Sequence, residues 1–303
     1  MKKYLIIYNA ESGRGQGEKK AIKIGVEMCK RGVENISLYE THKKGDIADY
    51  FAELSGREGD LSDYVIIVIG GDGTLGSTIY AIVHNNLQSE VAIYPHGTAN
   101  DFATSLRASK NIKKFVDLVL SGHTKDIDVA NVNNEYAINA IGGGNFSHGG
   151  EVFSARGKRF FGKFAYYIHC FFVAFAMKSQ ELKVQIDDDE FIDDFIFYYI
   201  VNSNTAGGFK HFAPGAQLAD GNFVFVGVKK CRFIPFCFLF FKILFGTHGN
   251  SNKILMKKGQ RFNITPIPPV EKKFLGSDLD GNVGPQHPLN IRVIRKYIKV
   301  YAK

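Results

Sequence analysis

Hydrophobic and polar residues alternate in a regular way along the first 130 residues. Apolar runs of five or six residues are separated by longer segments in which apolar residues recur at helical spacing. This alternation is typical of βα units around a parallel sheet. It predicts strands at residues 4–8, 36–39, 64–69, 91–94 and 127–129, with helices at residues 18–29, 46–54, 75–85 and 112–120.

The pattern changes after residue 130. Short runs rich in β-branched and aromatic residues follow one another, which favours an antiparallel β domain. We therefore expect an α/β protein with a parallel-sheet domain at residues 1–130 and a mainly antiparallel β domain at residues 131–303, whose last strand returns to the first domain. The strands predicted for the second domain are residues 135–141, 182–186, 195–201, 222–228, 261–265 and 291–300.

Two segments of the second domain are rich in aromatic residues, residues 160–177 and 233–245. A helix that spans a bilayer needs about 20 mostly apolar residues, and charged residues, glycine or proline interrupt both segments. We expect two aromatic-rich helices buried in the second domain, with partial insertion into a membrane surface as the alternative.

A glycine-rich stretch, Gly70-Gly71-Asp72-Gly73-Thr74, directly follows the predicted strand at residues 64–69. Its glycines let the backbone approach a phosphate group, and the N-terminus of the following helix adds positive potential. An aspartate in such a loop is unfavourable unless a cation offsets it, so Asp72 is a candidate for orienting Mg²⁺ or its water shell. The stretch is not a Walker A motif, because no Gly-Lys-Ser/Thr follows.

Two more loops follow predicted strands. Residues 96–103 come after the strand at 91–94, and we expect Thr98, Asn100 and Asp101 to line the same site, since strand ends in open α/β sheets share one crevice. Residues 9–17 follow the first strand and offer backbone donors and the Arg14 guanidinium to a triphosphate. The spacing argues against a dinucleotide fingerprint there, because Glu18 stands where its third glycine belongs.

The net charge and the cysteine content indicate what kind of partner the protein binds and in which compartment it is expected. The 303 residues have a formal net charge of +8, which favours a polyanionic partner such as a nucleotide, an anionic membrane or a nucleic acid. The dispersed basic residues and the lack of a recognised binding motif argue against nucleic acid as the partner. The four cysteines form no CxxC pair and no zinc-finger spacing, so a reducing cytoplasm fits best.

The motifs resemble those of the bacterial diacylglycerol kinases and related lipid kinases, which share a fold with NAD kinases. The glycine-rich stretch at residues 70–74 alone is also similar to NAD kinases and phosphofructokinases. The remaining elements point to lipid kinases, and they occur in the family's order: Asn9 with Ser12 and Gly13, residues 97–103, residues 213–221 and residues 279–281.

The resemblance implies an ATP-dependent lipid kinase that uses Mg²⁺ and phosphorylates a lipid hydroxyl, in the first place converting diacylglycerol to phosphatidic acid. The first domain is then the nucleotide-binding kinase domain, and the second binds the lipid. The nucleotide is expected along one set of residues: Asn9, Ser12, Gly13, Arg14, Thr41, Gly70, Gly71, Asp72, Gly73, Thr74, Leu75, Gly76, Thr98 and Asn100.

The resemblance also assigns the acidic residues. Asp72, Asp101 and Asp128 match the family's carboxylate network around the magnesium of the active site. Asp280 matches the general base that takes the proton of the lipid hydroxyl, although residues 278–284 read without the resemblance are a hairpin turn. Phosphoryl transfer needs positioning and charge neutralisation more than covalent chemistry, which fits these roles.

A second, structural magnesium is implied in the second domain. The resemblance gives it the Asp220 carboxylate and the backbone oxygens of Gln217 and Asn222. Asp220 precedes Gly221, which is also a strong turn signal, and a turn and a magnesium site can coincide.

The sequence departs from the family pattern at four positions. Ala10 replaces proline, and Gly76 and Ser77 stand where asparagine and glutamate are usual. Asn282 stands where the family has a glutamate that is also proposed as the proton acceptor, and asparagine cannot take a proton at neutral pH. A nucleotide-binding regulator with impaired catalysis therefore remains an alternative.

For the lipid acceptor and the binding partners, the sequence leaves several alternatives open. Phosphatidylglycerol, a sphingoid base or an isoprenoid alcohol could replace diacylglycerol, and an NAD kinase-like enzyme is a further alternative. The lipid implies a cytoplasmic protein in peripheral contact with a membrane surface, while the sequence leaves a homodimer open.

Overall fold

The computed structural model describes residues 2–43, 45–144 and 178–302, and the chain divides into two units. The first unit comprises Met1–Val129 together with Arg295–Lys303, and the second comprises Ala130–Ile294. The predicted α/β class, with parallel strands first and antiparallel strands after, is confirmed. That the two parts bind nucleotide and lipid separately stays a prediction.

The first unit is built on a parallel sheet. Its strands lie in the order β4, β3, β1, β2, and the end of strand β15, Leu289–Tyr301, runs parallel to β4 through Val300 and Val91. All seven residues of β3 are buried, which suits a continuous apolar run in a sheet covered on both faces. The strands are β1 Lys3–Tyr8, β2 Ile36–Glu40, β3 Tyr64–Gly70, β4 Glu90–Pro95 and β5 Thr124–Val132, of which the last enters the second unit.

Helices connect these strands. In the helix Gly17–Cys29, the residues Ala21, Ile24 and Met28 recur at helical spacing and pack into the core of the sheet. Two short helices, α1 and α5, were not predicted, because they are only four and five residues long and carry no periodic signal. The helices are α1 Ser12–Gly15, α2 Gly17–Cys29, α3 Asp46–Glu58, α4 Asp72–His84, α5 Asp101–Ser105 and α6 Ile112–Ser121.

The second unit pairs its described strands antiparallel. They lie in the order β14, β13, β7, β9, β8, β12, β15, and β10 pairs with both β9 and β11. Along β8, inward residues such as Leu182 and Val184 are fully buried and alternate with more exposed ones, as expected for a sheet with one covered face. The strands are β6 Glu135–Ala137, β7 Ala140–Gly144, β8 Gln180–Ile186, β9 Asp189–Val201, β10 Phe223–Lys229, β11 Ile254–Gly259, β12 Arg261–Pro266, β13 Ser277–Leu279, β14 Asn282–Val283 and β15 Leu289–Tyr301.

The strand predicted at residues 135–141 is wrong as a single element. It is divided into β6 and β7, with Ile138 and Asn139 between them. The amides of Ile138 and Asn139 donate to the Asp280 carboxylate instead of to a neighbouring strand. A polar contact that is remote in sequence interrupts the strand, and a local apolar pattern cannot reveal it.

Of the two aromatic-rich segments predicted to be helices, the structure describes one. Residues 160–177 lie outside the described residues. Residues 233–245 form a helix, α7 Phe233–Phe245, but the expectation that it is buried is wrong for one of its faces. Phe236, Leu239 and Ile243 are buried, whereas Phe238 is 68% exposed. No helix in the described part of the chain is long and apolar enough to cross a bilayer.

Candidate active site

Three glycine-rich loops of the first unit lie next to one another at the carboxyl ends of β1, β3 and β4. The loops after β3 and β4 touch through their backbones: a Cβ atom placed on Gly97 would lie 2.3 Å from the Cα atom of Gly71. The amide of His96 donates to the carbonyl of Gly70 at 2.9 Å. Two of the predicted phosphate loops are therefore held in contact, and only glycine at Gly97 allows it.

The loop after β1 joins the other two. Gly13 has a φ of +57°, and a Cβ atom on it would lie 2.3 Å from Nε2 of the His96 ring. Gly17 is as close-packed, since a Cβ atom there would lie 1.9 Å from the carbonyl oxygen of Asn9. Gly13 is thus brought against the loop after β4, and Asn9 and Ser12 pack around Gly17 within the same first loop.

His96 lies between two of these loops and is absent from the residues predicted for the site. Burial lowers the pKa of its imidazole, and the nearby charges of Lys20 and Lys110 act in the same direction, whereas a backbone hydrogen bond with Gln16 opposes them. Its Nε2 atom has no hydrogen-bond partner among the described residues. The signal in the sequence is its position directly after β4 and before Gly97.

Replacing Gly97 by alanine is expected to weaken ATP binding by about 10-fold or more, because the new methyl group forces the loops after β3 and β4 apart. The matched control is Gly56→Ala, since a Cβ atom at Gly56 meets nothing within 4 Å. Isothermal titration with ATP measures both affinities. Equal affinity in the two variants would show that the contact between the loops is not needed for nucleotide binding.

Asn100 closes the loop after β4. Its side-chain amide donates to the carbonyl of Gly97 at 2.7 Å, and its Oδ1 atom accepts from the amide of Gly97 at 2.7 Å. Its own backbone is left-handed, with a φ of 52°, which asparagine tolerates better than most residues. Asn100 is buried, so its role here is to shape the loop.

Asp72 lies at the first position of α4, where the helix amides have no partner within the helix. Its half-buried carboxylate accepts from the amide of Phe102 at 3.3 Å, across from the loop after β4. Burial raises the pKa of Asp72, and the surrounding amides, including those of Asp101, Phe102 and Asn100, oppose the rise. A cation bound near Asp72 would favour the ionised form of its carboxyl group.

The other two acidic residues of the predicted network lie in the same unit. Asp101 is buried at the start of α5, and Asp128 is fully buried in β5, where it accepts from the amide of Lys296 at 2.8 Å. In the part of the chain that the structure describes, no three histidine, cysteine, aspartate or glutamate side chains are placed to hold a metal ion together. Asp72 still fits Mg²⁺, since that ion takes one or two carboxylates and keeps several waters.

The remaining predicted nucleotide residues differ in their surroundings. The hydroxyl of Thr41 donates to Asp46 at 2.9 Å, and the amides of His42 and Lys43 also donate to Asp46. Burial alone would raise the pKa of Asp46, but these donors outweigh it and the pKa is lowered. Thr98 is exposed, while Leu75 and Gly76 are buried within α4, so their side chains support the helix.

Asp280 occupies the turn between β13 and β14 in the second unit. Its carboxylate accepts three amides, from Ile138 at 2.7 Å, Asn139 at 2.9 Å and Ala140 at 2.8 Å, and its side chain is 5% exposed. Its backbone is left-handed, with a φ of 52°, as the hairpin turn requires. The three amides hold the Asp280 carboxylate in a fixed position.

Asp278, two residues earlier, is in a different environment. Burial raises its pKa to about 7, the amide of Gly281 partly opposes the rise, and the charge of Asp280 adds to it. Its Oδ1 atom accepts from the amide of Gly281 at 2.9 Å. Sequence reasoning treated Asp278 as part of the turn, because only the folded hairpin places a second carboxylate beside it.

The second magnesium site predicted from Asp220 has a competitor for its carboxylate. One oxygen of Asp220 accepts from the amide of Asn222 at 2.9 Å, and the other pairs with the ammonium group of Lys258 at 2.9 Å. Gln217 is exposed in the same loop. The residues present therefore do not fit a metal ion unless Lys258 moves away, and the second magnesium stays a prediction.

Comparison with known proteins gives two family matches. Residues 3–132 match the family described as the diacylglycerol kinase catalytic domain, and residues 151–302 match the YegS C-terminal NAD kinase beta sandwich-like domain. The chain is 29% identical to the diacylglycerol kinase of Staphylococcus carnosus, covering 99% of this chain and 95% of that protein. It is 28% identical to a diacylglycerol kinase of Staphylococcus aureus, covering 99% and 92%.

Among solved structures, the fold is similar to that of a diacylglycerol kinase from Bacillus anthracis. The TM-score is 0.78 and the identity 24%, and the match covers 100% of this chain and 97% of that one. The whole length of the chain therefore takes part in the similarity.

Proposed function

The chain belongs to the bacterial diacylglycerol kinase family of lipid kinases, and from this we propose that it transfers the γ-phosphoryl group of ATP to the hydroxyl group of diacylglycerol, with Mg²⁺ as the metal. The observation that carries the proposal is the contact between the three glycine-rich loops, in which Gly13 meets His96 and Gly97 meets Gly71. Loops packed in this way at the ends of neighbouring parallel strands suit the phosphates of a nucleotide.

In this proposal the residues of the first unit bind and orient ATP. The backbones of the loops contact the phosphates, and Asn100 keeps the loop after β4 closed around Gly97. Asp72 and Asp101 would hold Mg²⁺ and its waters, with Asp128 supporting them from β5. When bound, the metal neutralises charge that develops on the transferred phosphoryl group.

The proton of the lipid hydroxyl needs an acceptor, and the two candidates are Asp280 and Asp278. The family resemblance proposes Asp280, whose carboxylate already accepts three amides. Asp278 has the pKa better matched to proton transfer near neutral pH. Asp280 then positions the hairpin, and Asp278 is a competing proton acceptor.

The raised pKa of Asp278 gives a prediction for stability. Below pH 4 the carboxyl is protonated in both the folded and the unfolded chain, and between about pH 4 and 7 the folded chain retains a proton that the unfolded chain releases. The contribution of Asp278 to stability therefore falls as pH rises through that window. We expect Asp278→Asn to gain stability relative to the wild type between pH 4 and 7, measured by urea unfolding at each pH.

If Asp278 also accepts the proton, wild-type kcat rises as the pH passes through about 7, because the carboxyl group must be ionised to act as a base. In Asp278→Asn this rise of kcat with pH is expected to be absent. A wild-type profile flat from pH 6 to 8, with full activity in Asp278→Asn, would leave the role with Asp280. Wild-type and variant melting curves at pH 8 control for unfolding.

The activity itself is tested with labelled ATP. We expect transfer to diacylglycerol in mixed lipid vesicles, and none to NAD. Separate vesicles that contain phosphatidylglycerol, a sphingoid base or an isoprenoid alcohol as the only acceptor identify the lipid. Transfer to NAD with no lipid product would replace the proposal by an NAD kinase-like activity.

One residue favours a second candidate, a nucleotide-binding regulator with impaired catalysis. Asn282 stands at the end of the hairpin, opposite Leu279, where the family pattern has glutamate. ATP binding without transfer to any lipid, in a protein where Asn282→Glu restores transfer, would establish this candidate.

The proposed acceptor also sets the location. Diacylglycerol resides in membranes and ATP is a cytoplasmic donor, so we place the protein at the cytoplasmic membrane surface in peripheral contact. Whether it acts as a homodimer is tested by sedimentation equilibrium in the absence of lipid.

A further inference from the structure

The helix α7 carries a row of exposed apolar side chains on one face. Ile234, Phe238, Phe241 and Phe245 follow one another at spacings of four, three and four residues, which at about 100° per residue places them within an arc of roughly 60°. Their exposed fractions are 67%, 68%, 57% and 75%. These four residues are called the apolar stripe.

The opposite face of α7 already holds the helix in place. Phe236, Leu239 and Ile243 are buried and belong to a core cluster that includes Phe212 and Val226. The apolar stripe is therefore not required for packing α7 on the second unit. A contiguous row of four large apolar side chains in water is unusual on a monomer and marks a surface of interaction.

The charges around α7 are basic. The helix contains no acidic residue and one lysine, Lys242, and Arg232 precedes it directly. Lys210 lies beside it, since the ring of the preceding Phe209 packs on Phe240 with centroids 6.1 Å apart. Arg232, Lys210 and Lys242 are exposed, and none of them forms an ion pair within the described ranges.

The length of α7 limits how it can meet a bilayer. Its 13 residues extend about 20 Å, against a hydrocarbon core of about 30 Å. A helix of this length with an apolar row and basic neighbours suits the plane of a membrane surface, with the apolar side chains at the acyl boundary and the cations among anionic headgroups.

We propose that the apolar stripe is the surface through which this protein docks on an anionic lipid bilayer, with α7 parallel to the membrane plane. The proposal rests on the proposed function in one respect: an enzyme whose acceptor is a membrane lipid must reach the bilayer. Arg232, Lys210 and Lys242 select anionic over zwitterionic lipid. The four apolar side chains of the stripe insert into the acyl boundary of the bilayer.

Tryptophan fluorescence tests the contact directly, because the chain contains no tryptophan. We expect Phe241→Trp to shift its emission to shorter wavelength when vesicles of equal parts phosphatidylglycerol and phosphatidylcholine are added. The matched control is Ile192→Trp, at a position of the same unit that is 55% exposed on β9. A shift in the control but not at residue 241 would overturn the assignment of the surface.

A second variant links the stripe to binding and activity. Glutamine keeps the helix but removes the apolar rings, so Phe238→Gln with Phe241→Gln is expected to weaken binding to these vesicles by at least about 30-fold. Its transfer rate to a short-chain diacylglycerol dissolved as monomers is expected to equal that of the wild type. The corresponding control is Ile192→Gln, which is expected to bind vesicles like the wild type.

The outcomes separate this proposal from the kinase proposal. Vesicle binding is measured without ATP, so a wild type that binds through α7 and transfers phosphate to no lipid supports the docking surface and contradicts the activity. Unchanged binding in the double glutamine variant overturns the docking surface and leaves the activity intact. A wild-type dimer that becomes a monomer in this variant, with vesicle binding unchanged, assigns the stripe to a second copy of the chain.

Discussion

Replacing Asp280 by alanine is expected to lower the rate of phosphoryl transfer by about 10³-fold or more and to leave the Kd for ATP nearly unchanged. The carboxylate holds the amides of Ile138, Asn139 and Ala140, so its loss releases the hairpin whichever residue accepts the proton. The Kd is preserved because the residues proposed to bind ATP belong to the first unit. Single-turnover transfer with saturating labelled ATP measures the first effect, and equilibrium titration the second.

The same substitution also costs stability, because a buried amide without an acceptor costs about 1 to 3 kcal/mol. Asp280→Asn separates the two roles, since it retains one oxygen that can accept an amide but cannot take a proton at neutral pH. An asparagine variant that keeps most of the activity makes Asp280 a positioning residue and favours Asp278 as the acceptor. An active alanine variant would remove Asp280 from both roles.

Replacing Asp72 by asparagine is expected to lower kcat by about 10² to 10³-fold, with a smaller effect on ATP affinity. The side chain keeps its shape and can still accept from the amide of Phe102, while the charge that would orient Mg²⁺ is lost. Steady-state kinetics at several Mg²⁺ concentrations measure both parameters, and the variant should need more Mg²⁺ for half-maximal rate.

A suitable control is Asp117→Asn, an exposed carboxylate at the surface of α6 in the same unit, which pairs with Arg31. That variant should keep wild-type kcat and Mg²⁺ dependence. If Asp72→Asn also keeps both, Asp72 has only a structural role at the start of α4, and the metal must be held elsewhere.

Much of the fold could be predicted because its signals are local. The run Val65 to Ile69 is apolar throughout, since β3 is covered on both faces, and it leads into a glycine loop and a helix. The start of α4 was predicted three residues late, because Asp72, Gly73 and Thr74 carry no apolar periodicity. Short helices such as α5 also lack that signal, although Asn100 in a left-handed conformation fixes where α5 begins.

The site could be predicted as a set of loops but not as a set of contacts. Glycine at residues 13, 71 and 97 indicated close backbone approach, yet only the structure identifies the partners, which are His96 for Gly13 and Gly71 for Gly97. The surroundings of Asp280 depend on amides about 140 residues away, and those of Asp278 depend on the hairpin that places the Asp280 carboxylate and the Gly281 amide beside it. Sequence spacing contains no information about such long-range hydrogen bonds.

The last strand of the chain has a consequence for synthesis. Val300 pairs with Val91, the hydroxyl of Tyr301 donates to Glu90 at 2.5 Å, and the ring of Tyr301 belongs to the core of the first unit. A ribosome that has released only the first 129 residues has therefore made a sheet with β4 as a bare edge, which invites pairing with other chains. The first unit can therefore be completed only after residues 295–303 have been synthesised, and a chain truncated before them leaves the edge of β4 without its partner strand.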